Sequence, residues 1–210
     1  MSIEEAYHCA ETFQDLCDIN VLFLQGVYDY TAYHCGPVDT ETIPLLDDLC
    51  KLNKLGFYTH EGQPSTSDTG FQQRGYLDAI VQSKHIPALK AHLENSDLFY
   101  LFDFNGDTET NIPFEKGVYK LNRTSYNGGL TWETSCYTNI HDDCYMLEEQ
   151  ITLHRDYGVD PDLFKDCIGV TLVVREFNSS VSIEKYLLEL MEVTWHPERP
   201  FTKWYLENEM

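Results

Sequence analysis

The chain has 210 residues, and 14 Lys and Arg against 35 Asp and Glu give it a formal net charge of −21 at pH 7. This sign argues against general binding to nucleic acid or to anionic membranes, because both need basic side chains. Hydrophobic residues make up 42% of the chain, which is the composition of a folded protein and not of an acidic disordered segment. We expect a single domain over residues 1–210, of class α/β or α+β, with a central mixed sheet flanked by helices.

Apolar spacing predicts two helices in the first quarter of the chain. The first covers residues 3–26 and carries acidic residues in its first turn. The second follows a loop, tolerates an early proline and buries a stripe formed by Leu45, Leu49 and Leu52. Gly56 is placed to end this second helix as a C-terminal cap.

Short strands and helices are predicted to follow. Aromatic and β-branched residues predict a strand at 57–59, and Gly-Gln-Pro-Ser at 62–65 predicts a turn. Residues 71–83 return to helical spacing, and Pro87 is placed to open another short helix. Residues 98–104 are apolar and aromatic, which predicts a strand that ends before Asn-Gly.

The second half of the chain gives weaker signals. Residues 105–140 are rich in Thr, Asn, Gly and Tyr, and we expect an irregular insertion or hairpins there. Helices are predicted over 141–154 and 181–191, and the β-branched run at 168–174 predicts a strand. The aromatic C-terminal tail, residues 195–210, is expected to dock on the body of the domain.

The N-terminal residues lack a basic segment followed by an apolar run, and no stretch approaches 18 apolar residues. The sequence therefore predicts neither a signal peptide nor a membrane span. Its seven cysteines contain no C-x-x-C pair and suggest no disulfide framework. We expect free thiols in a reducing compartment such as the cytoplasm.

Residues 34–104 form the expected core of the domain and carry its most distinctive motifs. They read Gly-Pro-Val-Asp at 36–39, Leu-Asn-Lys-Leu-Gly-Phe-Tyr-Thr at 52–59, Gly-Gln-Pro at 62–64 and Gln-Arg-Gly-Tyr at 73–76. These runs resemble a poorly characterised family of large DNA viruses and some bacteria, with the pattern GP-x-D … LN-x-x-GF-x-T-x-x-SQP-G … Q-R-x-Y. They are also similar to the C-terminal regulatory domain of eukaryotic methylenetetrahydrofolate reductases. In that domain a T-x-x-S-Q-P loop helps to hold S-adenosylmethionine or its homocysteine product.

The resemblance implies a viral source and a ligand site built on this loop. Thr59 takes the place of the loop Thr, Gly62 stands where the relatives have Ser, and Arg74 stands where the reductases have Lys. The implied ligand-binding residues are Thr59, Gly62, Gln63, Pro64, Gln73, Arg74 and Tyr76. Because the Ser hydroxyl is absent, the ligand stays open between an adenosine-like molecule and an anionic metabolite or nucleotide, and no cofactor is identified.

The residues themselves are compatible with such a site. If residues 71–83 are helical, Gln73 and Arg74 fall in the first turn, where free N–H groups and a guanidinium receive a carboxylate or phosphate. Tyr58, Phe71 and Tyr76 are placed to flank an aromatic base. The alternative is that Gln63 and Gln73 hydrogen-bond each other's backbone and specify a turn that binds no ligand.

Two clusters of possible metal ligands are better explained without a metal. Asp103 to Asn111 spaces oxygen side chains as a calcium loop does, but the expected Gly and the final Glu are both replaced, so a solvated hairpin is favoured. His141 to Cys144, with Cys136 nearby, offers zinc ligands without a second pair. A capped helix start is the simpler interpretation.

No enzyme signature is present, since the chain lacks G-x-S-x-G, a P-loop, H-E-x-x-H and G-x-G-x-x-G. We therefore expect a non-enzymatic viral domain, located in the host cytoplasm or the virion, that binds a small nucleotide-like ligand as a sensor or by sequestering it. The alternative is a structural or interaction protein, such as a virion component or a host-factor binder, with residues 195–210 as its interface. A third hypothesis is an enzyme that acts through His and carboxylates. It requires a cavity that holds His34 or His60 beside an acid.

Overall fold

A computed structural model describes residues 1–68, 71–93, 99–103, 114–115, 118–126, 129–137, 145–176 and 179–194.

The N-terminal region contains two helices where the sequence predicts one over residues 3–26. Helix α1 is Ile3–His8 and helix α2 is Phe13–Leu24. Thr12 and Asp15 form a capping box, in which each side chain accepts the backbone N–H of the other. The capping box starts a new helix at this point, so the prediction of one continuous helix is wrong.

The second predicted helix is confirmed. A 3-10 turn at Ile43–Leu45 leads into helix α3, Leu46–Lys54, with the proline in the first turn. The predicted leucine stripe is buried. Gly56 has a φ of 86°, and its N–H donates to the Asn53 carbonyl, which ends the helix in the left-handed conformation that glycine adopts most easily.

The predicted helix over residues 71–83 is wrong, because this segment forms two strands. Strand β3 is Phe71–Gln73 and strand β4 is Tyr76–Gln82, preceded by β1, Phe57–Gln63, and β2, Thr66–Asp68. Six of the seven β4 residues are buried. A strand covered on both faces shows a continuous apolar run, which matches helical spacing as well as it matches a strand. The predicted turn at 62–65 also begins later, since Gly62 and Gln63 belong to β1.

All the described strands pair in antiparallel fashion, in two sheets. The remaining strands are β5 Phe99–Asp103, β6 Phe114–Glu115, β7 Val118–Tyr126, β8 Gly129–Tyr137 and β9 Cys167–Val174. The first sheet has the order β1–β4–β9–β5, and in the second β7 pairs with β3, β6 and β8. The predicted mixture of helices and sheet is confirmed. The expected mixed sheet is antiparallel in the described strands, which selects the α+β alternative.

The later helices and strands match the sequence predictions where they are described. Helix α4 is Ile86–Leu93, α5 is Tyr145–Asp156 and α6 is Ile183–Thr194, with 3-10 turns at Ser83–His85 and Pro161–Phe164. The β7–β8 pairing is one of the hairpins expected between residues 105 and 140. The calcium-loop and zinc interpretations depend on residues 104–111 and 141–144. These residues and the aromatic tail at 195–210 lie outside the described residues.

The helices that cover the four-stranded sheet share one continuous hydrophobic core with it. The largest fully buried side chains include Tyr7, Phe57, Tyr58 and Phe164, which join α1, β1 and the 3-10 turn after α5. In the part of the chain that the structure describes, no helix is both long enough and apolar enough to cross a membrane.

Candidate functional site

Strand β1 carries three of the predicted site residues, and a bulge interrupts its pairing. Its register with β4 runs from Phe57 opposite Val81 to Thr59 opposite Ala79, then shifts before Glu61. His60 is the extra residue, and a bulge of this kind bends the strand and redirects its side chains. As a result, residues 59–63 all line one cavity.

Thr59 lies in a closed network of buried polar side chains. Its Oγ1 accepts a hydrogen bond from Asn53 Nδ2 at 2.7 Å, and its carbonyl accepts one from Asn20 Nδ2 at 2.6 Å. Asn53 Oδ1 accepts from Asn20 Nδ2 at 3.0 Å and from the Thr59 N–H at 3.3 Å. Tyr33 donates its hydroxyl hydrogen to Asn20 Oδ1 at 2.7 Å. The Thr59 hydroxyl, predicted to hold a ligand, is therefore engaged by the protein itself.

The two predicted glutamines contact each other through their side chains. Gln73 Nε2 donates to Gln63 Oε1 at 2.6 Å and to the Pro64 carbonyl at 3.4 Å. Gln73 is buried, while Gln63 is half-buried. The sequence alternative expected bonds to backbone, whereas the main bond here joins the two side chains. This bond fixes the end of β1 and leaves the Gln63 amide nitrogen as the group that a ligand can contact.

Arg74 and Tyr76, which the sequence places in the ligand site, both form hydrogen bonds to groups of the protein. Arg74 Nη1 donates to the Val174 carbonyl at 3.4 Å, and the Tyr76 hydroxyl donates to the Glu61 carboxylate. Gln73 ends strand β3, so the helix start that was expected to bind an anion is absent and that interpretation is wrong. Among the described residues, neither of the two cavities presented below has Arg74 in its lining.

Gly62 has a packing reason to be glycine. A Cβ at this position would lie 3.1 Å from Leu77 Cδ1 and 3.8 Å from Leu49 Cδ2. The first distance is shorter than an ordinary van der Waals contact, so the Leu77 side chain would have to shift by a few tenths of an ångström to accept a serine. Gly62 therefore lies in a closely packed position between β1, β4 and α3.

The first of two cavities, which we call the histidine cavity, has a volume of about 90 Å³. It is lined by Phe23, Leu24, Tyr33, His34, Val38, Asp39, Thr42, Leu49 and residues 59–63. His34 and His60 therefore share a cavity with Asp39 and Glu61, which is the arrangement that the enzyme hypothesis requires. In the described part of the chain, no group of three or more His, Cys, Asp or Glu side chains is arranged to hold a metal ion.

The His34 ring is held in one orientation and one tautomer. Its Nε2 lies 3.1 Å from the Pro37 carbonyl oxygen, and a carbonyl can only accept, so Nε2 carries the hydrogen. Nδ1 then keeps a lone pair. The ring also packs on Phe23 with a centroid distance of 5.4 Å. The imidazole therefore offers an acceptor nitrogen at a fixed position.

The second cavity, which we call the serine cavity, has a volume of about 200 Å³. It is lined by Leu45, Gln63, Pro64, Ser65, Gly75 and residues 179–184 at the start of α6. Ser182 donates its hydroxyl hydrogen to Glu184 Oε2 at 2.8 Å and accepts the Lys185 N–H at 3.2 Å. Glu184 is only 3% exposed, and this burial raises the pKa of its carboxyl group. Gln63 lines both cavities.

Tyr58 and His154 form a polar cluster that lies buried in the core and that the sequence did not predict. Tyr58 donates its hydroxyl hydrogen to His154 Nε2 at 2.8 Å, because His154 Nδ1 donates to the Gln150 carbonyl at 2.7 Å. His154 has no exposed surface, and its burial lowers its pKa to about 4. It is therefore a neutral core residue and is not part of either cavity.

A protein-family model, described as a domain of unknown function (DUF6919), matches residues 2–114, more than half of the chain. The chain belongs to this family. The DUF6919 segment contains the whole lining of the histidine cavity, whereas the serine cavity also takes residues 179–184 from outside the matched segment. Strand β9, which joins β4 to β5, also lies outside it. No curated protein matches the chain.

Proposed function

We propose that this chain is a small-ligand-binding domain and that its serine cavity holds a neutral adenosine-like molecule. Glu184 is the observation that carries this proposal, since a nearly fully buried carboxyl group lines a cavity of about 200 Å³. A cavity of ~150 Å³ is large enough for benzene, so this one accommodates an aromatic ring. The role would be that of a sensor or a sequestering protein.

The lining groups match the two ends of a nucleoside. A buried carboxylate accepts hydrogen bonds from ribose hydroxyls, as acidic residues do in dinucleotide-binding folds. Gln63 accepts from Gln73 through Oε1, so its Nε2 is the group able to donate to a ring nitrogen. Leu45, Pro64 and Val181 supply apolar surface for the faces of the ring.

The charge of the cavity disfavours an anionic ligand. Glu184 is the charged side chain in its lining, and none of the described residues that line it is Lys or Arg. The net charge of −21 adds a general repulsion of anions. The anionic half of the sequence hypothesis depended on Arg74, whose guanidinium bonds to Val174 instead.

Two further observations support binding rather than catalysis. Gln63 and Pro64 of the predicted set line the cavity, and the resemblance to the reductase regulatory domain supports an adenosine-like ligand. The Ser182 hydroxyl is engaged with Glu184 and Lys185, and no His among the described residues lines this cavity to activate a nucleophile.

Calorimetric titration with adenosine, S-adenosylmethionine and S-adenosylhomocysteine tests the proposal. We expect at least one of them to bind, and Glu184→Gln to weaken its affinity about tenfold by removing a charge-assisted hydrogen bond. Glutamine still accepts from Ser182, so the fold should be kept. Glu189→Gln, an exposed change of the same type on the same helix, is the matched control and should leave the affinity within about twofold of wild type.

Binding of none of the three probes would contradict the proposal. An equal loss in Glu184→Gln and Glu189→Gln would contradict it as well, because the effect would then come from overall charge. The interaction-protein alternative predicts that neither variant changes anything in this titration.

A further inference from the structure

We propose that the histidine cavity is a second ligand site, which binds the head group of a small organic cation, a primary ammonium or a guanidinium. This inference goes beyond the proposed function, because it concerns a different cavity and a different class of ligand. Among the described residues, only Gln63 lines both cavities.

Size limits the ligand to a head group. The cavity volume of about 90 Å³ is less than half that of the serine cavity. At ~30 Å³ for each water molecule in the liquid, it corresponds to about three waters. A nucleoside does not fit, whereas an ammonium or guanidinium group with a few carbon atoms does.

Two hydrogen-bond donors of the lining, the Tyr33 hydroxyl and His34 Nε2, are engaged by the protein. Tyr33 donates its hydroxyl hydrogen to Asn20 Oδ1, and His34 donates its Nε2 hydrogen to the Pro37 carbonyl. In the neutral ring, His34 Nδ1 is then an acceptor. A ligand that brings its own N–H donors complements this nitrogen and the carboxylates of the lining.

The charged side chains in the lining are carboxylates. Asp39 and Glu61 both line the cavity, and none of the described residues around it is Lys or Arg. The Tyr76 hydroxyl bonds to Glu61 Oε1, which holds that carboxylate in place and leaves Oε2 able to accept from a ligand. An ammonium or guanidinium would form charge-assisted hydrogen bonds with these groups.

Aromatic rings complete a lining suited to a cation. Phe23 and Tyr33 both line the cavity, and ring faces attract cations. The apolar side chains of Leu24, Val38 and Leu49 suit the carbon chain that carries the charged group.

Titration of the full chain with four small probes tests this inference. n-Butylammonium and agmatine carry the two proposed head groups, while n-butanol and butyrate have a similar chain with a neutral or an anionic end. We expect both cations to bind, n-butanol to bind about tenfold more weakly than n-butylammonium, and butyrate not to bind.

Charge-neutralising variants locate the site. Asp39→Asn and Glu61→Gln keep the shape of the side chain, and each should weaken n-butylammonium about tenfold. Glu41→Gln changes an exposed carboxylate in the same loop that does not line the cavity, and it should leave the affinity within about twofold of wild type. Glu61 accepts from Tyr76, so if Glu61→Gln unfolds, the exposed Asp39 carries the comparison.

Equal binding of n-butanol and n-butylammonium would overturn the inference, as would an equal loss in Asp39→Asn and Glu41→Gln or no binding of either cation. The adenosine affinity of Asp39→Asn should match that of wild type. A failure of the cation site is therefore distinguishable from a failure of the proposed function, which Glu184→Gln tests.

Discussion

The two halves of strand β1 behave differently although they are continuous in sequence. In the first half, Phe57–Thr59, the polar groups of Tyr58 and Thr59 are bonded to buried partners on α2, α3 and α5. In the second half, His60–Gln63, the strand is bulged and lines two cavities. The first half therefore stabilises the fold, although Thr59 also lines the histidine cavity, and the second half is the part proposed to bind ligands.

This difference assigns two roles to one predicted site. Thr59 belongs to the stabilising half because Asn53 and Asn20 satisfy its hydroxyl oxygen and its carbonyl. Gln63 belongs to the binding half because it lines both cavities. Substitution of the residues that bond to the first half should lower the free energy of unfolding and leave ligand affinity unaltered. Substitution of the residues that line the cavities beside the second half should lower ligand affinity and leave the free energy of unfolding unaltered.

The largest effect is expected for Asn53→Ala. Asn53 is completely buried, and its amide bonds to Asn20, to the Leu49 carbonyl and to the hydroxyl oxygen and N–H of Thr59. Its removal leaves several buried groups without partners, and we expect a loss on the order of 4 kcal/mol in the free energy of unfolding. Urea denaturation measures this, with the exposed Lys54→Ala on the same helix as control. A loss as small as that of the control would mean that the network does not stabilise the first half of β1.

A somewhat smaller effect is expected from protonation of His154. Its pKa is about 4 in the folded chain against an ordinary value of 6.5, so the unfolded chain binds the proton more tightly. The free energy of unfolding should therefore be highest above pH 6.5 with respect to this group. It should fall by roughly 3 kcal/mol in all as the pH is lowered toward 4.

Urea denaturation between pH 7 and pH 4 measures this loss. His154→Gln should be less stable at pH 7 and should show a flatter pH profile, while the exposed His8→Gln should keep the wild-type slope. The same slope in all three proteins would contradict the assignment of His154 as a buried neutral base.

Local patterns predicted the parts of the fold that local interactions determine. The leucine stripe of α3 and its Gly56 cap follow from spacing and glycine conformation, and both are confirmed. The segment 71–83 was assigned to the wrong structure because β4 is covered on both faces and its apolar run does not distinguish helix from strand.

The candidate site could be predicted only in part, since it depends on contacts between distant segments. The sequence identified Gln63 and Pro64, and both line the serine cavity. Glu184 is the acid of this cavity, and it comes from α6, more than 100 residues further along the chain. Asn53 belongs to the Leu-Asn motif, and this motif is the sequence feature that drew attention to it. No sequence feature indicates that Asn20 joins the buried network around Thr59.

The central proposal is that Gln63, in the second half of β1, contacts a ligand, while Asn20 and Asn53 stabilise the first half. Side-chain amide signals in a nitrogen–proton correlation spectrum report directly on Gln63 and on Asn20 and Asn53 during titration with adenosine. The account predicts progressive shifts for the Gln63 side-chain amide and for the backbone of residues 179–184, with Asn20 and Asn53 unchanged. Shifts centred on Asn20 and Asn53, with Gln63 unmoved, would contradict it.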